Sequence, residues 1–357
     1  MKKKEDLRIG ICTLYGNYNF GNKLQNYALQ EVLKEFSDNV ITFRLNNQNI
    51  KGNIVELLSK LKSKDKVEVE REKKFLEFNK NINYSKHKIN VYYPLMFRKI
   101  DIMFYGSDQV WNPYYCGLSK LMSGDYGNFM KVSYAASFGV SKLLPEHEEK
   151  FKKGLKKFSF ISVREDKGKE FVEKIIEKRD VEVLVDPTLL IDKGKWSEIA
   201  TKPKEIVPKK YILCYFLGSL SDNSQKEIER VAAENECEII NILDKKDKFY
   251  LSGPGEFLYL EEHAHLICTD SFHSCVFAFL FDRPFIIFDK EQDRSIKMNS
   301  RIDTLLSKFD LKSRRYDGKR ITENNLCHNY VNSYKLLELE ISKSHHFFEK
   351  VFKSISD

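Results

Sequence analysis

The chain has 357 residues, of which 42% are hydrophobic and 31% are charged, and its net charge is +8. This composition excludes a disordered or fibrous chain and is typical of a soluble globular protein, and the length suits two domains better than one core. The positive charge is compatible with nucleic acid, an anionic substrate or an anionic membrane surface, and it does not choose among them.

The beginning of the chain and its cysteines predict a cytoplasmic protein. Residues 1–6 lead into a first strand without an apolar signal core, and no apolar run has the length of a membrane span. The seven cysteines include no CxxC pair and fall partly in apolar strand patterns, which predicts reduced, buried thiols. We expect no nucleic-acid partner, because the lysines of residues 51–88 alternate with glutamates in a helical pattern and no recognised binding module accompanies them.

The first half of the chain alternates predicted strands and helices. Short apolar runs predict strands at residues 8–15, 40–45, 100–105, 132–136, 160–163 and 183–185. Helical spacing predicts a helix after the loop 16–22, one or two helices within 51–90, a helix at 146–158, and another beginning near residue 164. This alternation indicates a parallel sheet with covering helices.

Polar side chains follow the predicted strands of this half. The strand at 100–105 ends in Gly106-Ser107-Asp108-Gln109, and the first strand is followed by a loop with two glycines that carries Asn19 and Asn22. Side chains at the carboxyl ends of parallel strands lie at the edge where such sheets bind ligands. The glycine loop before a helix resembles a phosphate cradle in outline, but it lacks GxGxxG and the P-loop lysine, so a nucleotide assignment would be weak.

The second half repeats the pattern after a break. Residues 193–209 contain two prolines and many lysines and are predicted as a linker. Strands are then predicted at 211–217, 238–243, 266–268 and 285–288, with helices at 223–235, 256–264, 276–281, from 300, and at 332–355. We therefore predict an α/β protein of two Rossmann-like parallel-sheet domains facing a cleft, formed by residues 1–192 and 210–357.

The segment 267–288 contains the strongest candidate for chemistry. A buried strand is followed by Thr269, Asp270 and Ser271 and then by an apolar helix that ends before Pro284. This order places His273 at a helix N-terminus, where free N–H groups and the helix dipole favour an anion. A histidine at that position can donate or accept a proton near neutral pH.

Four segments in this order carry a family resemblance. They are Asn19–Gln30, Gly106–Trp111, Ser162–Glu165 with the later Asp186–Thr188, and Thr269–His273. Together they resemble the polysaccharide pyruvyl transferase family over about residues 8–290. The resemblance implies a fold like the two-domain GT-B glycosyltransferases, phosphoenolpyruvate as donor substrate, a sugar of a surface glycan as acceptor, and a pyruvate ketal and phosphate as products.

The resemblance also implies the donor-side residues. His273 matches the family motif and is expected to act as the acid and to contact phosphate, and Arg164 is expected to be a donor-binding cation. Many members have an arginine where this chain has Ser271, so another arginine is expected to replace it. The candidates are Arg283, Arg294 and Arg301. The donor side is assigned to residues 210–357.

The acceptor side is assigned to residues 1–192. Asp108 and Gln109 are expected to orient or deprotonate the acceptor hydroxyls, and Asn19, Asn22 and Gln25 to hold the sugar or shape the cleft floor. The histidines show no metal-ligand spacing, so we expect no metal and no cofactor besides the phosphoenolpyruvate substrate. A lipid-linked oligosaccharide acceptor and peripheral contact with the anionic inner face of the membrane would explain part of the positive charge.

Each assignment has a structural alternative. His273 could only cap its helix, Arg164 could form a structural salt bridge with Glu165 or Asp166, and Asp108 could bond to the adjacent backbone. Two other functions also stay open: a nucleotide-sugar glycosyltransferase of the same architecture, and a non-catalytic glycan-binding relative.

Overall fold

The first half of the chain folds around one parallel sheet. The computed structural model describes residues 3–16, 18–44, 65–86, 97, 99–114, 120–177, 180–289 and 300–355. Within them the sheet has the strand order β2-β1-β3-β4-β5-β6. Its strands are β1 (Arg8–Cys12), β2 (Asn39–Thr42), β3 (Ile102–Gly106), β4 (Met130–Ala136), β5 (Phe160–Val163) and β6 (Glu182–Val183). The central strand β3 is buried along its whole length, as expected for a parallel sheet covered on both faces.

Helices connect these strands. They are α1 (Phe20–Leu33), α2 (Lys66–Phe78), α3 (Pro145–Leu155) and α4 (Asp166–Ile176), with 3₁₀ turns at Asn79–Asn81 and Pro187–Leu190. The prediction of a helix within residues 51–90 is confirmed by α2, while residues 51–64 and 87–90 lie outside the described part of the chain.

The second half contains a second parallel sheet, with the strand order β10-β9-β7-β8. Its strands are β7 (Tyr211–Tyr215), β8 (Glu238–Asn241), β9 (Leu266–Thr269) and β10 (Phe285–Ile287). The helices are α5 (Lys193–Ile199), α6 (Asp222–Glu234), α7 (Pro254–His263), α8 (Phe272–Leu280), α9 (Ser300–Lys308), α10 (Glu323–Leu326) and α11 (Val331–Lys353), with 3₁₀ turns at Lys248–Leu251 and Lys312–Arg314. The predicted fold class of two parallel-sheet α/β domains is confirmed. Helix α5 occupies the first part of the predicted linker, 193–209.

The last helix contacts both halves of the chain. Near its start, Tyr334 stacks on Phe279 of the second half with ring centroids 5.0 Å apart. Near its end, Phe348 stacks on Tyr134 of β4 at 4.6 Å. The 23 residues of α11 extend about 35 Å, which is enough to reach from one half to the other. The end of the range 210–357 therefore packs on the first domain as well as the second.

Aromatic stacking fixes the beginning of α1 between the two halves. The ring of Phe20 lies parallel to that of Phe257 on α7, with centroids 4.6 Å apart, and also stacks on Phe75 of α2 at 5.2 Å. All three side chains are almost fully buried. Aromatic pairs of this kind contribute about 0.5–1.5 kcal/mol beyond the burial of their area. The first turn of α1 therefore has a defined position relative to the second domain.

Helix α1 also buries a lysine. The side chain of Lys23 is fully buried, and its Nζ lies 4.7 Å from the ring centroid of Tyr15 and 5.3 Å from that of Tyr84. Nζ is 3.4 Å from the hydroxyl of Tyr84. Among the described residues no carboxylate forms an ion pair with it. Burial therefore lowers the pKa of Lys23 from 10.5 to about 8.

Replacing Lys23 by methionine is expected to stabilise the protein at pH 7 by about 2 kcal/mol. The lowered pKa corresponds to a penalty of about 3 kcal/mol for keeping the buried charge, and the two cation–π contacts offset about 1 kcal/mol of it. The folded protein loses this proton near pH 8 and the unfolded chain only near pH 10.5, so the penalty disappears as the pH rises between these values. Urea unfolding of both proteins at pH 7 and pH 10 measures the difference.

The control is Lys34→Met at the other end of α1. Lys34 is solvent-exposed and paired with Glu31, so its replacement should change the free energy of unfolding by less than about 0.5 kcal/mol at either pH. A Lys23→Met protein that is less stable than wild type at pH 7 would contradict the expectation.

Candidate active site

Three strands of the first sheet deliver charged side chains to one place. Asp108 follows β3, Arg164 follows β5 directly, and Asp186 follows β6. Because the strands are parallel, their carboxyl ends meet at the same edge of the sheet. Asp108 has a φ of 62°, in the left-handed region that non-glycine residues seldom occupy. This conformation turns the chain sharply after β3, and such residues are frequent at functional sites.

These side chains form a buried ionic cluster. The guanidinium of Arg164 lies between two carboxylates, with Nη1 2.5 Å from Asp186 Oδ2 and Nη2 3.3 Å from Asp108 Oδ1. The hydroxyl of Ser107 donates to Asp186 Oδ2 at 2.7 Å, and Thr188 donates to Oδ1 at 2.8 Å. All five side chains are at least 95% buried. The ion partners of Arg164 are therefore Asp108 and Asp186, and not Glu165 or Asp166, the partners considered from sequence.

The cluster keeps both aspartates ionised. Burial alone would raise the pKa of Asp108, but Arg164, His273 and Arg301 hold it below its usual value. Burial likewise opposes ionisation of Asp186, and its contacts with His273, Arg164 and Ser107 lower the pKa of Asp186 far more strongly. A carboxylate with a lowered pKa is a weak base. The geometry therefore suits these aspartates to orienting cations better than to removing protons.

His273 faces this cluster from the second domain. It lies in the first turn of α8, and its Nε2 is 3.7 Å from Asp186 Oδ2. The side chain is 94% buried, yet Nε2 has no hydrogen-bond partner among the described residues. The ring of the neighbouring Phe272 covers the guanidinium of Arg164, with Cζ 4.4 Å from the ring centroid. The imidazole is thus positioned at the cluster with one nitrogen available to a ligand.

A glycine of α1 makes this position of the imidazole possible. Gly21 lies directly against the His273 ring, and a Cβ atom at this residue would overlap with Nδ1. Gly21 follows Phe20, whose ring is stacked between the two domains. The fixed start of α1 therefore sets the distance between the two domains at the imidazole.

Substituting alanine for Gly21 is expected to reduce activity about 100-fold. The added methyl group would displace the imidazole from its position at the cluster, and displacement by about 1 Å costs on the order of 10²-fold in rate. Initial rates of product formation give the effect. The matched control is Gly16→Ala in the loop before α1, where a Cβ would meet no atom within 4 Å. Equal activity of the two variants would contradict the role given to Gly21.

One of the three candidate arginines joins the cluster. Arg301, at the start of α9, has Nη1 4.0 Å from Asp108 Oδ1. Arg283 lies beyond the C-terminal end of α8, the end opposite His273, where its Nε donates to the carbonyl of Phe281. The structure therefore does not bring Arg283 to the site, and Arg294 lies outside the described residues. Ser271, the N-cap residue of α8, is buried next to His273.

The predicted acceptor residues have different positions. Gln25 is fully buried, and its Nε2 donates to Thr13 Oγ1 at 3.0 Å, which in turn donates to the carbonyl of Ser107 at 3.3 Å. Gln25 is therefore connected to the strand end that carries Asp108. Its Oε1 is buried without a hydrogen-bond partner among the described residues. Gln25 thus has an unused acceptor close to the cluster.

The other amide side chains are engaged in local structure. Asn19 caps α1 by accepting from the N–H of Asn22 at 2.9 Å, and Asn22 itself is buried in the first turn. Gln109 accepts from Asn112 at 2.7 Å and packs against Gly139 in the loop after β4.

Sequence reasoning missed two members of the cluster, Ser107 and Asp186. Asp186 was given no role in the predicted site, but its carboxylate contacts Arg164, Ser107 and His273. A signal was available, because Asp186 follows a predicted parallel strand just as Asp108 and Arg164 do.

The described residues contain no group of three or more metal-ligating side chains suited to hold a metal ion. No helix within the described ranges has both the length and the apolar character of a membrane span.

Comparison with known proteins places the chain in a family. A family model described as polysaccharide pyruvyl transferase matches residues 19–290, which is more than half of the chain and includes every member of the cluster up to His273. The chain belongs to the polysaccharide pyruvyl transferase family. The sequence resemblance is thereby confirmed, and no curated protein sequence matches the chain.

Solved structures support the fold of this family member. A protein from Listeria monocytogenes described as a UDP-N-acetylglucosamine 2-epimerase is 10% identical, with 98% of this chain and 97% of that chain covered and a TM-score of 0.52. The UDP-N-acetylglucosamine 2-epimerase of Methanocaldococcus jannaschii is 13% identical, with 93% and 98% covered and a TM-score of 0.45. MurG of Acinetobacter baumannii is 10% identical, with 99% of both chains covered and a TM-score of 0.41. The first of these likenesses supports a GT-B-like fold, and at this identity it shows the fold alone.

Proposed function

We propose that this protein transfers the pyruvyl group of phosphoenolpyruvate to two hydroxyls of a sugar in a surface polysaccharide or its lipid-linked precursor, forming a pyruvate ketal. The observation that carries the proposal is the buried imidazole of His273 at a helix N-terminus, where its Nε2 faces the cluster of Arg164 and Arg301 and forms no hydrogen bond with a described residue. Phosphoenolpyruvate has a carboxylate and a phosphate, and cations and helix N-termini are the groups that bind such anions.

The reaction needs a proton donor at the methylene carbon. One sugar hydroxyl bonds to C2 of the enol while a proton is added to C3, and this uptake balances the proton lost by the hydroxyl. The bond from C2 to the phosphate oxygen then breaks, phosphate leaves with the electron pair, and the second hydroxyl bonds to C2 and gives its proton to phosphate. In this proposal His273 donates that proton, because an imidazole is the side chain in the cluster suited to general acid catalysis.

The cations of the cluster have separate roles in this proposal. Arg164 is held by two carboxylates and stacked on Phe272, so it provides a rigid positive charge for the donor. Arg301 approaches the same carboxylate of Asp108 and takes the place of the family arginine that is missing at Ser271. Asp108 then orients both guanidinium groups, and Gln25, with its unused Oε1, is the best placed of the amide residues to accept from a sugar hydroxyl.

The net charge of +8 supports a lipid-linked acceptor, because a basic surface is attracted to anionic membranes. Co-sedimentation with liposomes should then increase with their anionic lipid content. Co-sedimentation that does not depend on lipid charge would remove this part of the proposal.

A thermal-shift titration with phosphoenolpyruvate and a panel of nucleotide sugars tests the donor. A ligand that binds only the folded state raises the melting temperature by mass action, so no acceptor needs to be known. We expect a shift with phosphoenolpyruvate, followed by phosphate release once a suitable acceptor is added. A shift with a nucleotide sugar alone would instead support a glycosyltransferase, and binding of sugars without any donor would support a glycan-binding protein.

A further inference from the structure

A buried arginine outside the cluster has two nitrogens without a hydrogen-bond partner among the described residues. Arg71 of α2 is 95% buried, and its Nε and Nη2 make no hydrogen bond among the described residues. None of its nitrogens lies within ion-pair distance of a carboxylate in the described part of the chain. A buried charge without a partner is costly, and a ligand of opposite charge would offset this cost.

The neighbouring charged residues contrast with Arg71. Lys74, one turn later on α2, forms an ion pair with Glu256 of α7. Glu68, one turn earlier, accepts from Tyr250 at 2.8 Å and pairs with Lys245 at 2.7 Å. Both carboxylates are therefore already engaged by other groups. Arg71 also helps to lower the pKa of Glu68, after the larger contributions of Lys245 and Tyr250, but it forms no ion pair with Glu68.

Aromatic rings from both domains hold the guanidinium in place. The Cζ of Arg71 lies 4.3 Å from the ring centroid of Tyr250, 5.8 Å from that of Phe20 and 5.9 Å from that of Phe75. Stacking engages the face of a guanidinium and leaves the N–H groups along its edge available. The group is thus fixed at low conformational cost, as a binding site for an oxyanion requires.

This arginine is close to the candidate active site but separate from it. The side chain of Phe20 faces Arg71, and the next residue, Gly21, lies against the imidazole of His273. Tyr215, at the end of β7, packs against Phe20 with ring centroids 5.6 Å apart. Its hydroxyl interacts electrostatically with both Arg71 and Asp108. Arg71 and the ionic cluster are therefore both neighbours of the Phe20–Tyr215 pair.

We propose that Arg71 is the centre of a second anion site, which binds the phosphate or diphosphate group of a sugar-phosphate acceptor. This inference rests on the proposed function, in which the acceptor is the sugar that receives the pyruvyl group. In that function the carboxylate and phosphate of the donor already bind to Arg164, Arg301 and His273. A neutral sugar acceptor would therefore leave Arg71 without an anionic partner. A sugar attached through a phosphate would pair with Arg71 and present its ring hydroxyls toward the donor.

Calorimetric titration of the whole protein with inorganic pyrophosphate and with glucose 1-phosphate tests the site. The variants are Arg71→Met, Arg71→Lys and, as a matched control on the same helix, Lys74→Met. The donor cluster could also bind these anions, so the titrations are repeated in a His273→Gln/Arg301→Gln background. We expect Arg71→Met to weaken pyrophosphate binding at least tenfold in both backgrounds, Arg71→Lys to weaken it less, and Lys74→Met to leave it within twofold.

Two further measurements separate a binding role from a structural one. Since methionine removes an unpartnered buried charge, Arg71→Met should unfold at the same or a higher urea concentration than wild type, and its affinity for phosphoenolpyruvate should stay within twofold. The proposed site would be contradicted if Arg71→Met bound pyrophosphate as tightly as wild type. It would also be contradicted if the variant lost affinity for pyrophosphate and phosphoenolpyruvate together. If wild type fails to bind phosphoenolpyruvate while Arg71→Met still loses pyrophosphate, the proposed donor is wrong and the anion site stands.

Discussion

Replacing Arg164 by glutamine is expected to lower the free energy of unfolding by about 3–5 kcal/mol at pH 7 and to abolish donor binding. The guanidinium is the shared partner of Asp108 and Asp186, which are both almost fully buried. Without it two carboxylates would lie close together in the interior with too little positive charge. The loss is measured by urea unfolding, and donor binding by thermal shift with phosphoenolpyruvate.

The pH dependence of this loss identifies its cause. Both aspartates have lowered pKa values in the folded protein, so the stability they contribute is present above about pH 4, the pKa of an unfolded aspartate, and is lost as the pH falls toward their folded values. In Arg164→Gln the lowering is weaker. The difference in stability between the two proteins should therefore be largest at neutral pH and should shrink toward pH 3.

Arg230→Gln on α6 is the control for this experiment. Arg230 also contacts two carboxylates, those of Glu227 and Glu234, but its side chain is 25% exposed. Its loss should cost less than about 1 kcal/mol, because exposed ion pairs contribute little. A loss in Arg164→Gln as small as this, or one that does not change between pH 7 and pH 3, would show that the buried cluster does not stabilise the fold as described.

His273→Gln is expected to lower the rate of phosphate release by about 10²–10⁴-fold at saturating substrates while leaving a folded protein. A general acid contributes a factor of this size, and glutamine has no group that can donate a proton in its place. The substitution should also cost about 1–3 kcal/mol in stability, because the imidazole helps to hold the buried carboxylate of Asp186 ionised. Rates are measured with phosphoenolpyruvate and an acceptor, and stability by urea unfolding.

The first domain offers a matched histidine as control. His147 on α3 is also buried, and its Nε2 is 3.7 Å from a carboxylate oxygen of Glu146, the same distance that separates His273 from Asp186. It lies away from the ionic cluster, so His147→Gln should retain full activity. If His273→Gln keeps the wild-type rate, the imidazole is not the acid, and its position at the helix N-terminus has a structural role only.

Local chemistry explains why much of this protein follows from its sequence. Apolar runs of strand length, such as Tyr211–Tyr215, alternate with helical patterns because parallel strands are buried on both faces and each crossover needs a helix. The same rule places residues after the strands at one sheet edge, which is why Asp108 could be selected in advance. Arg164 was indicated by the family resemblance. The position of His273 followed from the polar turn before an apolar helix. The order of four motifs then indicated the family that the family model confirms.

Contacts between distant segments were decided only by the tertiary structure. Arg164 forms an ion pair with Asp186, which is 22 residues away in the chain, and not with the adjacent Glu165. The order of the strands in the sheet, and not the distance along the chain, determines which side chains meet. The choice among three arginines required the position of α9, which brings Arg301 to Asp108 and leaves Arg283 at the far end of α8. Arg71 could not be selected from the sequence, because its burial between α2 and the second domain depends on how these elements pack. The lack of a hydrogen-bond partner for its Nε and Nη2 among the described residues likewise depends on packing. The sequence thus determined which elements form and which residues end them, while the packing of the two domains determined which of those residues share a site.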